Sequence, residues 1–347
     1  MLIAPYAAPL LRNARRLIGG PGTLADTAFE CETLCESEEA ELSPSIFLDG
    51  QIEKITGVPL GTSLASQLDQ ALRRQVVHAP TLAYHIRRAV FFDGAVYAGK
   101  LKHLIGEKNA STNRHIFEID TGAICSSVLG TRHFGHWLCD DALTYLLAKP
   151  YGIPICYSPM YSSNHKPIYA KYFNQDWSPI DRAVIEHLIV FQDYGQTSLK
   201  KKRQLELRSK VEMLYPHLGR EQYIYLKRND TGVLRTIENE QEIIDALSQR
   251  GFTILDIKID SLEKVLAHLA SAKIVVSLEG SHNVHGCYAL PLGSSMLFLQ
   301  PANRFTATQR GWTENIGVKF GFVVGDGHGD CEHYQLNEIL KTIDLML

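Results

Sequence analysis

No long apolar run occurs anywhere in the 347 residues, so nothing approaches the roughly 20 apolar residues that a membrane-spanning helix needs. The opening MLIAPYAAPLLRNARRLIGG is apolar but has no basic leader. Pro5 and Pro9 interrupt it, and Arg12, Arg15 and Arg16 follow at once, so it does not read as a secretory signal. It reads as a packed arm, with a segment lying on a membrane surface as the alternative. CxxC pairs are absent as well. The seven cysteines (Cys31, Cys35, Cys125, Cys139, Cys156, Cys287 and Cys331) are scattered and odd in number. That speaks against a disulfide framework and for reduced, buried thiols of a cytoplasmic protein. Nor is there a large excess of either charge: the net −3 argues against nucleic acid as a partner. Low-complexity tracts and short repeats are missing too.

What is there suffices for two cores: 45% hydrophobic residues in a chain of two-domain length. The C-terminal half alternates strands and helices. YIYLKR (223–228) has strand character, and Asn239 to Gly251 has helical spacing ending on a glycine. FTILDIK follows as a strand. Ser261 is a plausible N-cap for SLEKVLAHLASA, and KIVVSL and SSMLFLQ read as buried parallel strands. Such alternation implies a doubly wound parallel sheet. In the N-terminal half, SIFLDG, HIFEID, IPICYSP and VIEHLIVF read as strands, and Asp93-Gly94 marks a hairpin between AVFF and AVYAG. The expected fold class is therefore α/β: two Rossmann-like domains facing a cleft, the first with an added β-hairpin. The expected division is 1–205, 206–330 and a C-terminal helix in 331–347 packing on the domains. The charged stretch from about Ser198 to Arg220 is expected to be helical and to join them.

Three segments carry candidate chemistry. In HFGHWLCDD, His136 and Asp140 stand four apart, on one face if the segment is helical. Transfer to a hydroxyl needs a base, and carboxylate and imidazole are its natural candidates. The same spacing also suits a capping or hydrogen-bonding pair. Trp137 would stack on a sugar face or fill the core. In YLKRNDTGVLRTIENEQE, Arg228 ends a strand, Arg235 lies beyond a loop, and Asn239 and Glu240 open a helix. Cations so placed clamp a diphosphate and meet the charge of a departing leaving group. The alternative is a surface ion pair of Arg235 with Glu238 or Glu240. In VVSLEGSHNVHGCYALPLG, a strand runs into Glu279, Gly280, Ser281, His282 and Asn283. Gly280 permits close backbone approach, the following helix would offer N–H groups to phosphate, and Glu279 would accept from a ribose. His285 would face the site if the loop turns into helix; a tight Ser-capped turn is the alternative.

In this order the segments resemble glycosyltransferase family 61, found among capsular polysaccharide biosynthesis proteins, over roughly residues 115 to 305. His136, Trp137 and Asp140 fit its His-Trp-x-x-Asp stretch. Arg228, Arg235, Asn239 and Glu240 fit its two arginines and Asn-Glu pair, and Gly280, Pro291 and Gly293 fit its phosphate loop and Pro-x-Gly. Where many members carry His-Gly-Ala-Gly, this chain has Glu279-Gly280-Ser281-His282, with His285 in place of an Asn, like a bacterial Glu-Gly-Ser subgroup. The resemblance implies a GT-B-like, inverting, metal-independent glycosyltransferase without a resident cofactor. A nucleotide sugar, by resemblance a UDP-sugar, would donate to a saccharide acceptor in polysaccharide or glycan biosynthesis. Asp140 would be the base and His136 its partner or substitute. Arg228, Arg235, Asn239, Glu240, Glu279, Gly280, Ser281, His282 and His285 would bind the donor. The rivals are a carbohydrate-binding protein without turnover and a polysaccharide pyruvyltransferase-like enzyme.

Two further clusters have blander readings. Asp326, His328, Asp330, Cys331 and His333 match no standard metal spacing, and the glycines among them suggest a turn. Lys200, Lys201, Lys202 and Arg203 read as a solvated helix face, with peripheral attraction to the inner membrane face as the alternative.

Overall fold

The computed structural model describes residues 4–17, 20–108, 115–158, 163–217, 221–228, 235–327 and 331–347. The chain divides into two compact units, residues 1–38 with 78–204 and residues 39–77 with 205–347. Residues 39–77, expected in the first domain, go instead with the second, and so does the C-terminal helix Leu336–Met346.

The first unit is built on a seven-stranded mixed sheet. Its strands are β1 (Glu30–Cys35), β2 (Thr81–Phe92), β3 (Ala95–Ala98), β4 (Leu101–Leu104), β5 (Phe117–Ile124), β6 (Ile153–Ile155) and β7 (Arg182–Gln192). The order is β4-β3-β2-β7-β5-β6, with β1 also on β2. Only β7, β5 and β6 run parallel; β1, β2, β3 and β4 pair antiparallel, as do β2 and β7. A second doubly wound sheet is thus not what the strands make. The long β2–β7 ladder, from Leu82↔Gln192 to Phe92↔Arg182, sets an antiparallel core to which the parallel pair is added. The hairpin at Asp93-Gly94 is present, with φ of 45° and 81°, the two positive angles of the turn that matches strand twist. A helix at Ala4–Arg16 (α1) stands where an arm was expected.

The second unit carries the doubly wound sheet. Its strands are β8 (Gln222–Lys227), β9 (Phe252–Asp256), β10 (Ala272–Leu278), β11 (Ser295–Gln300) and β12 (Lys319–Val324), all parallel, in the order β9-β8-β10-β11-β12. Every residue of β11 and all but one of β10 are buried, as strands covered on both faces must be. Ser261 caps the helix Leu262–Leu269 through Lys264 N–H, and Gly251 ends Glu240–Gln249 at φ 82°. The strand order reverses between β8 and β10, so ligands are favoured outside the carboxyl ends of those two strands.

SIFLDG forms no strand. Ile46 makes a single bridge to Gly321 in β12, and Phe47 stacks on Phe322 at 4.6 Å, which ties this segment to the second unit. Among the described residues, no helix is long and apolar enough to cross a membrane.

Candidate active site

In the first unit, Ser127 caps the turn Val128–Arg132, and the chain continues through Phe134–His136, a π-helical turn Trp137–Asp141, and the helix Ala142–Ala148. Leu138, Cys139, Ala142 and Leu143 bury the inner face. A π turn inside a helix often marks a functional site because the extra residue re-aims its neighbours. Here His136 Nδ1 lies 2.8 Å from Asp140 Oδ2. Lys200 Nζ, almost wholly buried, donates to Asp140 Oδ1 at 2.7 Å and to the Asp193 carbonyl at 3.2 Å. Asp193 is itself gripped by Arg203 at 2.8 and 2.9 Å and by Thr81 Oγ1 at 3.0 Å. Burial opposes the ionised form of Asp140, but the Lys200 ammonium and His136 outweigh it and hold the carboxyl well below the usual range.

Asp141 faces elsewhere. It accepts Ser127 N–H at 3.1 Å and Ser127 Oγ–H at 2.7 Å, and burial pushes it up to about 8 against those two bonds, with the Asp140 charge adding to the rise. Trp137 fills the core against Trp177 at 5.1 Å and is not a sugar platform.

In the second unit, the ends of β8 and β10 bring together Arg228, Arg235, Glu279, Gly280 and His282. Arg235 Nη1 donates to the Glu279 carbonyl at 2.8 Å and pairs with its carboxylate, whose other oxygen accepts Gln309 Nε2 at 2.9 Å. Arg235 therefore pairs with Glu279, not with Glu238 or Glu240, and Glu279 is occupied in holding Arg235. A Cβ on Gly280 would stand 2.8 Å from Arg228 Nε and 2.9 Å from His282 Nδ1, so only glycine leaves this approach open. Ser277 Oγ donates to the Leu226 carbonyl at 2.7 Å and meets His282 Nε2 at 2.8 Å. Burial, then Arg228 and Arg235, keep His282 neutral.

Arg304, which no motif singled out, joins this cluster. Burial lowers its pKa, as does Arg235, against the pull of Glu279. Arg228 is lowered to about 10 by burial and by Arg235, with Arg304 adding to the fall. Among the described residues, three guanidinium groups thus lie within electrostatic reach of the Glu279 carboxylate. Among the described residues, Arg235 Nε, Arg304 Nε, His282 Nδ1, Asn283 Oδ1, Gln309 Oε1 and Tyr334 OH are buried with no hydrogen-bond partner. Such a set of orphaned donors and acceptors suits an anion that also carries hydroxyls.

The remaining candidates lie differently. Asn239 clamps the Tyr334 backbone (2.9 and 3.1 Å), and Glu240 accepts Tyr225 OH at 3.0 Å. Ser281 is exposed and His285 fully buried. The loop after Gly280 is a 3-10 turn, Ser281–His285, followed by the short helical turn Gly286–Ala289, so no long helix N-terminus stands there. Of the possible metal ligands, Asp326 pairs with Lys54 at 2.9 Å and His333 with Glu238 at 3.3 Å. His328 and Asp330 lie outside the described residues, among which no group of three could hold a metal.

The basic run is corrected: Lys200 and Arg203 are buried, while Lys201 and Lys202 are exposed. Positions 200, 203, 204, 207, 208 and 211 follow helical spacing and all are buried. Applying the strand-end rule to β11 as well as to β8 and β10 would have pointed to Arg304.

A search of curated proteins finds no match for this chain. Residues 134–297, from the turn that carries His136 and Asp140 to the strand after the Gly280 loop, match the family model of glycosyltransferase 61, and over that span the chain is similar to that family.

Proposed function

We propose that the protein is an inverting glycosyltransferase that takes a sugar from a nucleoside-diphosphate donor, by resemblance a UDP-sugar, and passes it to a saccharide hydroxyl. The observation that carries this reading is the cluster of Arg228, Arg235 and Arg304 around the carboxylate of Glu279, beside the reversal of the parallel sheet. Its guanidinium groups suit a diphosphate and, later, the charge that grows on it as the sugar leaves. Gly280 gives the phosphates room, and the orphaned acceptors His282 Nδ1, Asn283 Oδ1 and Gln309 Oε1 suit ribose or sugar hydroxyls. The His136–Asp140 pair supplies proton acceptance from the acceptor hydroxyl. Arginines take the part that a bridging cation plays elsewhere, so turnover should survive EDTA; complete loss reversed by added metal would refute that part.

The test is a thermal-shift series, because a ligand that binds the native state raises its apparent stability. Nucleoside diphosphates and nucleotide sugars should raise Tm well above the matching nucleosides. Release of free nucleotide from a donor then separates transfer from mere carbohydrate binding. Phosphoenolpyruvate, an anion the same arginines could hold, is the competing probe. If it alone shifts Tm, a pyruvyltransferase-like reading replaces this one.

A further inference from the structure

Both oxygens of Asp140 are engaged. Oδ2 faces His136 Nδ1 at 2.8 Å, and Oδ1 receives the Lys200 ammonium at 2.7 Å. Lys200 has no freedom to withdraw. It is 1% exposed, its Nζ also reaches the Asp193 carbonyl, and Asp193 is fixed by Arg203 and Thr81. A proton placed on Asp140 would have to displace one of these contacts while a buried ammonium stands beside it. An ionised Asp140, by contrast, accepts a hydrogen carried on His136 Nδ1, and in that tautomer the lone pair of the ring is on Nε2. The His136 side chain is 22% exposed.

We infer that the proton acceptor is His136, through Nε2, and that Asp140 and Lys200 are positioning residues that hold the ring in its accepting tautomer. This reverses the roles expected of the pair from the sequence, and it rests on the glycosyl-transfer reading. In the step, the acceptor hydroxyl oxygen forms its bond to the anomeric carbon of the donor and its proton passes to His136 Nε2. The bond from that carbon to the diphosphate oxygen breaks, and its electron pair leaves with the diphosphate. The imidazolium formed lies against the Asp140 carboxylate, which orients it without taking the proton, as in other His–Asp pairs. Lys200 keeps the carboxylate ionised and stops it from rotating towards the hydroxyl. Among the described residues, the charged and titratable groups around the pair include Lys200 from the helix Ser198–Leu214, Asp141 on the same turn with Lys166 near it, and His133, whose ring lies 6.1 Å from that of His136.

The experiment joins two readouts on the full chain. Histidine-selective ¹⁵N labelling, with His136→Gln for assignment, should show the wild-type ring as the Nδ1–H tautomer. Asp140→Asn should shift it towards Nε2–H, while the other histidine signals report that the fold is kept. In the transfer assay, His136→Gln should lower kcat by roughly 10²–10⁴ with the donor KM unchanged. Lys200→Met should lower kcat, and Lys200→Arg should restore part of it. An Nε2–H tautomer in the wild type, near-normal turnover in His136→Gln, or a rise in turnover in Lys200→Met, as a freed Asp140 base would give, each overturns the assignment. A wild-type protein that transfers no sugar sinks the proposed function instead, and the tautomer still decides what Asp140 and Lys200 do.

Discussion

Arg228 and Arg304 stand beside the Arg235–Glu279 pair in one electrostatic cluster. Replacing Arg228 or Arg304 with Ala should weaken binding of a nucleoside diphosphate by on the order of 1.5–3 kcal/mol, the worth of a hydrogen bond to a charged group. The matching nucleoside should lose far less, and equal losses in calorimetry would count against a phosphate role. Asp141 sits at about 8 in the fold, above its unfolded value, so between about pH 4 and 8 the folded state binds the extra proton. Its contribution to stability is present at low pH and is lost as pH rises through that window. Asp141→Asn removes the titration, so the wild type should lose stability relative to the variant from pH 5 to 8. Parallel Tm curves would show that Asp141 is ionised throughout. At this scale Arg228, Arg235 and Gly280 were legible, because strand ends and a glycine loop have recognisable neighbours. Lys200 was not, because a lysine among lysines looks solvated and only its partner, sixty residues away in sequence, says otherwise.

At the scale of elements, the π turn Trp137–Asp141 is held against the turn Val128–Arg132 by Ser127 and by a glycine. A Cβ on Gly130 would run into the Asp141 carboxylate. Gly130→Ala should therefore destabilise the protein by about 1–3 kcal/mol, as overpacking of a filled site does. It should also disturb Asp140, the next residue. An alanine variant with wild-type stability in urea denaturation would show that the two turns are not locked together. The strands and helices of the second unit were legible because their apolar runs and caps agree at every level. The strand KFGFVV went unread, interrupted as it is by Gly321, whose missing side chain makes room for Met346 and the Ile46 carbonyl. In the first unit β3, β5, β6, β7 and the end of β2 were read while β1 and β4 were not, and alternation along a strand does not say which way its neighbour runs. The mixed pairing therefore stayed hidden.

For the whole molecule, the unforeseen feature is the return of residues 39–77 to the second unit. Gln51 Oε1 accepts Val324 N–H at 2.6 Å, Gln67 Oε1 accepts Ala307 N–H at 2.8 Å, and Lys54 pairs with Glu338 at 2.7 Å. Buried Arg310 donates to the carbonyls of Ser43, Gln70 and Arg73. No periodic pattern in the segment announced this, since the contacts run through glutamine side chains and backbone carbonyls. A fragment of 205–347 alone would leave these groups unsatisfied. It should fail to unfold cooperatively, whereas residues 39–77 joined to it by a flexible linker should restore a single transition. A cooperative, nucleotide-binding 205–347 fragment would show the segment to be dispensable.

The same interleaving sets a timetable for synthesis. Residues 39–77 leave the ribosome early, but the partner of Gln51 in β12 is made 273 residues later, on the order of 10–50 s at ordinary elongation rates, and that of Phe47 lies beside it. The first unit becomes complete in sequence at residue 204, partway through that interval, and until β12 is made the segment is a waiting loop between its two parts. Pausing of translation, or a chaperone that shields the segment, would therefore act on the second unit and leave the first to form on its own schedule.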